Sequence, residues 1–193
     1  MKTVYLIRHG MTAGNREKRY IGSTDEPLSP EGVAQIKQLK ATGLPAFHQI
    51  FTSPYRRCRE TAALLFPGAD ATAVPDLREC GFGLFEGKTA GELEHSPHYA
   101  AWLASGCMAP IPGGESVEGF KARCRAAFGQ ALQEVPEGGR AAFVIHGGCI
   151  MAVLEAWALP KRDFYAYHLE NGGFVACTFQ EGALTIQGGP LCL

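Results

Sequence analysis

The sequence lacks the features that mark membrane, nucleic-acid-binding and disulfide-rich proteins. No apolar run approaches the roughly 18 residues that cross a bilayer, and the first residues read as a strand, without the layout of a signal peptide. The 18 basic and 19 acidic residues leave a net charge of −1, which supplies no basic surface for nucleic acid or anionic membranes. The seven cysteines include no Cys-x-x-Cys pair, which argues against a disulfide framework or a zinc site. We therefore expect a cytoplasmic protein with reduced cysteines.

What the sequence does contain is enough apolar residues for one substantial core. With 46% hydrophobic residues, the 193-residue chain is expected to form one domain spanning 1–193. Two apolar runs end alike: residues 4–10 read VYLIRHG and residues 142–148 read AFVIHGG. Such runs are typical of strands buried on both faces of a parallel sheet. With the helical patterns between them, they predict an α/β three-layer sandwich, a mostly parallel central sheet with helices on both faces.

Polar side chains follow both of these strands. Arg8 and His9 come directly after the first strand, and His146 comes directly after the second. Ligands of open α/β sheets bind outside the carboxyl ends of the strands. If the two strands are parallel neighbours, two imidazoles and one guanidinium meet at one edge, which is an arrangement suited to an anion.

The polar segment 11–29 is predicted to be a loop beginning beside His9. Thr12 and Asn15 either donate hydrogen bonds to an anion held there or form an ordinary turn, and the residues alone favour the turn. Ser29 and Pro30 then start a helix that ends at Gly43.

A further helix, which we expect Ser53-Pro54 to cap, opens with three cations: Arg56, Arg57 and Arg59. Cations in the first turn of a helix cost roughly 0.3–1 kcal/mol each. Either they serve an anion bound at this helix N-terminus, or they form a solvated basic face neutralised by Glu60. Tyr55 and Cys58 share the helical spacing of the apolar residues and are expected in the core.

Two carboxylates, Glu79 and Glu86, lie in the glycine- and aromatic-rich segment 75–87. A carboxyl group among apolar side chains has a raised pKa and can donate a proton near neutral pH. The alternative is a surface carboxylate or a partner for Arg78. The triplet at 87–89, Gly-Lys-Thr, imitates the end of a P-loop, but phenylalanine occupies the place of the required earlier glycine, so we reject a nucleotide triphosphate site.

The remaining segments are predicted to form a helical flap over 88–114, a long helix over 116–135 and a terminal hairpin of strands 174–179 and 183–186. His95 and His98 are three residues apart, as metal ligands sometimes are, but they lack nearby partners. No metal site is therefore expected.

Together, these motifs resemble the histidine phosphatase superfamily, the phosphoglycerate-mutase-like fold, and within it the short phosphatase branch that includes alpha-ribazole phosphatases. Five blocks carry the resemblance in the family's order: Arg8-His9-Gly10 with Thr12 and Asn15, residues 52–62, Leu77-Arg78-Glu79 with residues 83–87, residues 112–116, and His146-Gly147-Gly148. The chain departs from the family pattern at four positions: Met11, Tyr55, Cys58 and Phe85. Tyr55 makes the choice between Arg56 and Arg57 ambiguous, and the Arg-x-x-Glu-Thr-Ala spacing resolves it towards Arg57.

The resemblance implies a role for each candidate residue. His9 would be a neutral nucleophile that forms a phosphohistidine, and Glu79 would protonate the leaving oxygen. Arg8, Arg57 and His146, which the bound phosphate would favour as a cation, would complete the catalytic group. The residues that would bind the phosphate are Arg8, Thr12, Asn15, Arg57, His146 and the backbone N–H of Gly147. No cofactor or metal would be required.

The function implied is a metal-independent phosphomonoesterase acting on a small phosphorylated metabolite, with no nucleic-acid or membrane partner, as a monomer or homodimer. Residues 20–28 resemble the branch that hydrolyses alpha-ribazole 5'-phosphate in cobalamin assembly. The alternatives are a phosphoglycerate-mutase-type phosphotransferase, a broad-specificity sugar-phosphate phosphatase and, in another class, a non-catalytic regulator that binds a phospholigand. Mutases of the family are generally longer than 193 residues, which favours the phosphatase.

Overall fold

The computed structural model describes residues 1–189, which form one seven-stranded sheet with helices around it. The strands are β1 (Lys2–Arg8), β2 (Gln49–Thr52), β3 (Thr72–Ala73), β4 (Arg140–Ile145), β5 (Ala158–Leu159), β6 (Phe174–Gln180) and β7 (Ala183–Gly188). Their order across the sheet is β3-β2-β4-β1-β6-β7-β5. The first four strands in this order are parallel, and β6 pairs antiparallel with both β1 and β7. The predicted α/β class is confirmed.

The α-helices of the described residues are α1 (Ala13–Arg16), α2 (Pro30–Ala41), α3 (Arg56–Leu65), α4 (Ala90–Leu93), α5 (Pro97–Ala104), α6 (Val117–Glu134) and α7 (Gly147–Trp157). Short 3-10 helices cover Pro75–Leu77, Gly83–Phe85 and Phe164–Tyr167. None of the described helices combines the length and the apolar character needed to span a bilayer.

Both faces of the sheet are covered because neighbouring residues of a strand point to opposite sides. Val4 of β1 belongs to the apolar cluster that includes Phe128 of α6 and Val153 of α7. Ile7 belongs to a second cluster, which contains Ile36 of α2. A strand buried on both sides has to be apolar throughout, which explains the unbroken run before Arg8.

The pairing of β1 with β4 sets the position of the two histidines. The strands are parallel, with Arg8 opposite Ile145, and the backbone N–H of His9 donates to the Ile145 carbonyl at 3.0 Å. His9 and His146 each follow the end of their strand by one residue. They therefore leave the sheet side by side at the same edge.

The beginning of α3 differs from the prediction. The helix starts at Arg56 with Tyr55 as its N-cap, and no side chain makes a capping bond. Ser53 does not cap it: its hydroxyl accepts from the backbone N–H of Tyr55 at 3.3 Å and bonds to His146. Tyr55 is only half-buried and lies outside the core, with its ring 5.6 Å from the His146 ring. Cys58 is buried, as expected.

A short helix interrupts the segment expected to be a loop. The Thr12 hydroxyl accepts from the backbone N–H of Asn15, and the Asn15 side chain accepts from the backbone N–H of Thr12. This reciprocal capping satisfies two donors that a helix start leaves without partners. It stabilises α1 despite its four residues.

The segment 88–114 contains α4 and α5 and has a small core of its own. The buried residues of this core are Leu93, Tyr99, Trp102 and Ile111 of the segment and Phe85 of the preceding 3-10 helix. Tyr20 and Phe82 pack against this cluster from outside the segment. The six cysteines within residues 1–189 are free thiols, and Cys192 lies outside the described residues.

Candidate active site

His9 is held in one ring orientation by its own backbone neighbour. Its Nδ1 lies 2.7 Å from the carbonyl oxygen of Gly10, so Nδ1 carries the proton and donates it to that oxygen. Within residues 1–189, no group forms a hydrogen bond to Nε2. The ring is buried, at 4% exposure, and the lone pair of Nε2 is available for attack.

Two effects keep His9 neutral. Burial lowers the pKa of His9 well below its ordinary value, and the positive charges of Arg57 and Arg8 lower it further. The bond to the Gly10 carbonyl acts in the opposite direction and is the smaller influence. Since only a neutral imidazole has a free lone pair, this environment favours a nucleophile.

Arg8 brings a buried cation beside His9. Its Nη1 donates to the carbonyl of Leu169 at 2.6 Å, whereas its buried Nε has no partner among residues 1–189. Buried donors are nearly always paired. A Cβ atom at Gly147 would lie 3.2 Å from Arg8 Cζ, so the guanidinium packs closely against the start of α7. An unpaired N–H on a cation at this place suits an anionic ligand.

Arg57, not Arg56, is the second cation of the site. Arg57 is 1% exposed and donates to Nδ1 of His146 at 3.2 Å. Its other nitrogens donate to the backbone carbonyls of Thr24 and Gly22 at 2.7 and 3.0 Å. Arg56 is exposed and forms an ion pair with Glu60 at 2.6 Å. The one-residue ambiguity is thus resolved as the spacing predicted.

His146 lies next to His9, with the ring centroids 5.2 Å apart. It is fully buried, its Nδ1 accepts from Arg57, and its Nε2 lies 2.7 Å from the Ser53 hydroxyl. Burial, followed by the charge of Arg57, lowers the pKa of His146 well below its ordinary value. Burial and the two neighbouring cations thus favour the neutral ring. A cationic His146 is expected only beside a bound phosphate, whose negative charge favours the protonated ring, and it stays a prediction.

Thr12 and Asn15 lie near His9. The sequence left open whether they donate to an anion or form a turn, and in the structure they bond to each other. Thr12 is fully buried, and its hydroxyl caps α1. Oδ1 of Asn15 accepts from Thr12 and from Nδ2 of Asn171 at 3.1 Å. Gly147 is the first residue of α7, whose N-terminal amides favour negative charge.

Glu79 reaches the same site through α7. One carboxylate oxygen accepts from the backbone N–H of Gly148 at 3.1 Å, and the other accepts from the backbone N–H of Cys80 at 3.0 Å. A Cβ atom at Gly148 would lie 2.4 Å from the carboxylate, so only glycine allows this approach. Gly148, which donates one of these bonds to Glu79, follows His146 by two residues in the sequence.

Glu86 does not have the properties expected of a proton donor. Burial raises its pKa, but hydrogen bonds from Thr24, Gly22 and Phe82 outweigh burial, and the pKa lies below its ordinary value. The carboxylate accepts from the backbone of Gly22 and Thr24 at 2.8 and 2.9 Å. Because Arg57 donates to the carbonyls of those two residues, Glu86 fixes the loop that holds Arg57.

Three polar residues for which the sequence predicted no role in the site help to position it. Asn171 donates to the backbone carbonyl of His9 at 3.2 Å as well as to Asn15. The Thr61 hydroxyl donates to the Arg57 carbonyl at 2.7 Å and accepts from the backbone N–H of Gly10 at 3.1 Å. Ser53 is the hydroxyl partner of His146. Thr61 and Ser53 belong to the block at 52–62, so the motif carried a signal for them, whereas Asn171 had none.

Arg123, on α6, holds the segment that carries Glu79. Its guanidinium donates to the carbonyls of Asp76, Arg78 and Glu79 at 2.8, 2.7 and 3.1 Å. It also forms a two-pronged ion pair with Glu115 at 2.6 and 2.7 Å. These bonds from one side chain fix the backbone on which the carboxyl group of Glu79 depends.

The two lowered histidine pKa values predict how stability depends on pH. Below about pH 6.5 the unfolded chain protonates these rings and the folded chain does not, so the free energy of unfolding decreases as the pH falls. We expect His9→Gln to reduce this loss by about 1 kcal/mol between about pH 7.5 and about pH 5.5. Urea unfolding at the two pH values measures it.

The exposed His98 provides the matched control, and we expect His98→Gln to follow the wild-type pH dependence. An undiminished loss of stability in His9→Gln would show that His9 is protonated in the folded protein.

Comparisons with known proteins agree with this geometry. A protein of Salmonella paratyphi C (strain RKS4594) named "Probable phosphoglycerate mutase GpmB" is 36% identical over 170 residues, which are 82% of this chain and 78% of that protein. The crystal structure of a phosphoglycerate mutase from Thermus thermophilus is 33% identical, covers 99% of both chains and has a TM-score of 0.74.

The alpha-ribazole phosphatase of Shigella flexneri has a TM-score of 0.84, with 96% of this chain and 94% of that chain covered. Its sequence identity is 23%, so the likeness shows the fold alone. The family model of the histidine phosphatase superfamily (branch 1) matches residues 4–188. A match over nearly the whole chain, together with the paired histidines and buried arginines, means that the protein belongs to the histidine phosphatase superfamily.

Proposed function

We propose that the protein hydrolyses phosphomonoesters of small metabolites through a phosphohistidine formed on Nε2 of His9. The observation that carries the proposal is the state of that ring: it is neutral, its Nδ1 proton is held by Gly10, and Nε2 is free beside Arg8 and Arg57. Family membership supports a phosphatase or mutase, both of which begin by phosphorylating this histidine.

In the first step, Nε2 of His9 attacks phosphorus, and the bond to the ester oxygen breaks. The proton of the Glu79 carboxyl group goes to the leaving oxygen, so an alcohol departs. Arg8 and Arg57 lie where charge accumulates on the phosphoryl oxygens during such a transfer. The Gly10 carbonyl stabilises the positive charge that the ring acquires when Nε2 is phosphorylated.

In the second step, water attacks the phosphohistidine, and the Glu79 carboxylate takes the proton of that water. The nitrogen–phosphorus bond breaks, inorganic phosphate leaves, and His9 is again neutral with Glu79 protonated. One carboxyl group serves both steps because it donates a proton in the first step and accepts one in the second. A regulator without turnover would not require the acid and the nucleophile in this arrangement.

A second candidate is phosphoryl transfer between positions of phosphoglycerate. It is supported by the names of the Salmonella and Thermus relatives, which are 36% and 33% identical. The two reactions share the phosphoenzyme and differ in its fate, water in one and a second substrate position in the other. Phosphate release from 3-phosphoglycerate without formation of 2-phosphoglycerate distinguishes hydrolysis from transfer.

As the specific substrate we propose alpha-ribazole 5'-phosphate. The support is the resemblance of residues 20–28 to that branch, together with the place of this segment beside the site. Gly22 and Thr24 accept hydrogen bonds from Arg57, and Tyr20 packs against the flap cluster. Measuring kcat/KM over a panel of phosphorylated metabolites, with alpha-ribazole phosphate and sugar phosphates included, ranks this substrate against broad specificity.

Loss of the nucleophile tests the reaction itself. We expect the protein to hydrolyse p-nitrophenyl phosphate without added metal, and His9→Ala to lower kcat by about 10³-fold or more, because no other described group offers a free imidazole lone pair at this place. A colorimetric assay measures the rate. Activity retained in His9→Ala would contradict a phosphohistidine on this residue.

The two adjacent arginines form a matched pair of variants. Arg57→Ala removes a buried cation of the site and is expected to lower kcat/KM by about 10²- to 10³-fold. Arg56→Ala removes an exposed cation paired with Glu60 and is expected to change kcat/KM by less than about threefold. Steady-state kinetics on p-nitrophenyl phosphate measure both, and the opposite ranking would place the wrong arginine in the site.

The acid role of Glu79 predicts a dependence on the leaving group. An alcohol needs protonation as it departs and p-nitrophenolate does not, so Glu79→Gln should slow hydrolysis of an alkyl phosphate about 10²-fold more than that of p-nitrophenyl phosphate. Rates for the two esters on the same preparation measure the difference. Equal slowing would leave Glu79 with a positioning role only.

A further inference from the structure

An apolar cavity of about 220 Å³ adjoins Glu79 and Gly148. Its walls come from six parts of the chain: the loop at Tyr20, the segment 79–82, the flap, residues 115–120 at the start of α6, the first half of α7 and the 3-10 helix at Phe164–Tyr167. The side chains that give it an apolar surface include Tyr20, Trp102, Ile111, Phe120, Met151 and Phe164. The flap thus contributes part of the cavity wall, and Glu79 and Gly148 of the site contribute another part.

The charge of the cavity is as distinctive as its surface. None of its lining residues, all within 1–189, is Lys or Arg. Its two carboxylates are Glu79, which accepts bonds from the Gly148 and Cys80 backbone, and Glu115, which is paired with Arg123. A carboxylate or a second phosphate on a ligand would find no positive partner here, and burying an unpaired charge is unfavourable.

A second cavity, of about 390 Å³, also adjoins Glu79, but its character differs. It is lined by polar groups, among them Ser23, Tyr55, Arg78 and Glu86, and by the backbone of several glycines. Its polar surface suits the water that attacks in the second step. A charged leaving group would have to enter on this side.

The position of Glu79 determines on which side of the site the leaving alcohol lies. Glu79 protonates the leaving oxygen in the proposed reaction, and its carboxylate borders the apolar cavity next to Gly148. The carbon skeleton attached to that oxygen therefore continues from Glu79 into one of the two cavities. An apolar cavity of about 150 Å³ is large enough for benzene, so the observed volume accommodates one or two rings.

We propose that the apolar cavity beside Glu79 binds the alcohol part of the substrate and selects an uncharged, ring-bearing group over a carboxylated or polyhydroxylated one. This inference rests on the proposed function, since it assigns the leaving group of that reaction. It assigns the flap, through Trp102 and Ile111, a part in choosing the substrate.

Three primary phosphate esters test the preference: 2-naphthylmethyl phosphate, glycerol 3-phosphate and 3-phosphoglycerate. We expect kcat/KM to be highest for the naphthylmethyl ester, by about tenfold or more over glycerol 3-phosphate, since one apolar group in such a cavity changes kcat/KM by about 10- to 200-fold. We expect 3-phosphoglycerate to be the poorest. Equal values, or a preference for 3-phosphoglycerate, would overturn the assignment.

A charge placed in the cavity wall provides the second test. Ala109 lines the cavity, whereas Ala104 is an exposed residue at the end of α5 in the same flap. Ala109→Lys should lower the ratio of kcat/KM for the naphthylmethyl ester to that for 3-phosphoglycerate by about tenfold or more. Ala104→Lys should leave the ratio unchanged. Because each ratio is taken on one preparation, partial misfolding cancels from it.

The outcomes separate this inference from the function on which it rests. If no ester is hydrolysed, p-nitrophenyl phosphate included, the proposed function fails. If p-nitrophenyl phosphate is hydrolysed in a His9-dependent manner but the three alcohol esters are not ranked as expected, only the cavity assignment fails. An equal change of the ratio in Ala109→Lys and Ala104→Lys would also overturn it.

Discussion

Parallel pairing of β1 with β4 is the constraint on which the site depends. The register that sets Arg8 opposite Ile145 brings the ring centroids of His9 and His146 to 5.2 Å from each other, although 136 residues lie between them in the sequence. A slip of one residue in that register would turn every side chain of the strand to the other face. The buried apolar residues on both sides of β1 and β4 make such a slip costly, so the hydrophobic core also aligns the reactive groups.

The electrostatic design of the site is an excess of buried positive charge. Arg8 and Arg57 direct their N–H groups to backbone carbonyls of Leu169, Thr24 and Gly22, and within residues 1–189 neither forms an ion pair with a carboxylate. Carbonyl oxygens accept from these N–H groups without cancelling the charge, whereas Nε of Arg57 donates to His146 and Nε of Arg8 has no partner among residues 1–189. Burial, and after it this positive charge, lowers the pKa of His9 and of His146, and the charge attracts a phosphate dianion.

Local sequence predicted those parts of the site that strand and helix ends determine. The apolar runs before Arg8-His9 and His146 identified the strands, and the spacing after Arg57 identified the inward arginine. Sequence reasoning missed or misjudged residues whose hydrogen-bond partners come close only when the chain folds. Nothing in the sequence around Asn171 indicates that it bonds to His9 and Asn15. Likewise, nothing around Arg123 indicates that it holds the backbone of Glu79. Tyr55 was misplaced because it has the helical spacing of the apolar residues, but the helix begins at the next residue. Glu86 was misjudged because three of its four hydrogen bonds come from the distant residues Gly22 and Thr24.

The bond from Asn171 to the His9 carbonyl, and that from Arg8 to Leu169, have a consequence for the protein as it is being synthesised. Every residue proposed to react with phosphate has been translated once the ribosome has passed Gly147. The two groups that hold Arg8 and the backbone of His9 are added more than twenty residues later. A nascent chain therefore carries its full set of reactive groups while the geometry that makes them reactive is still missing. The geometry of Arg8 and His9 is therefore completed only after Leu169 and Asn171 have been added.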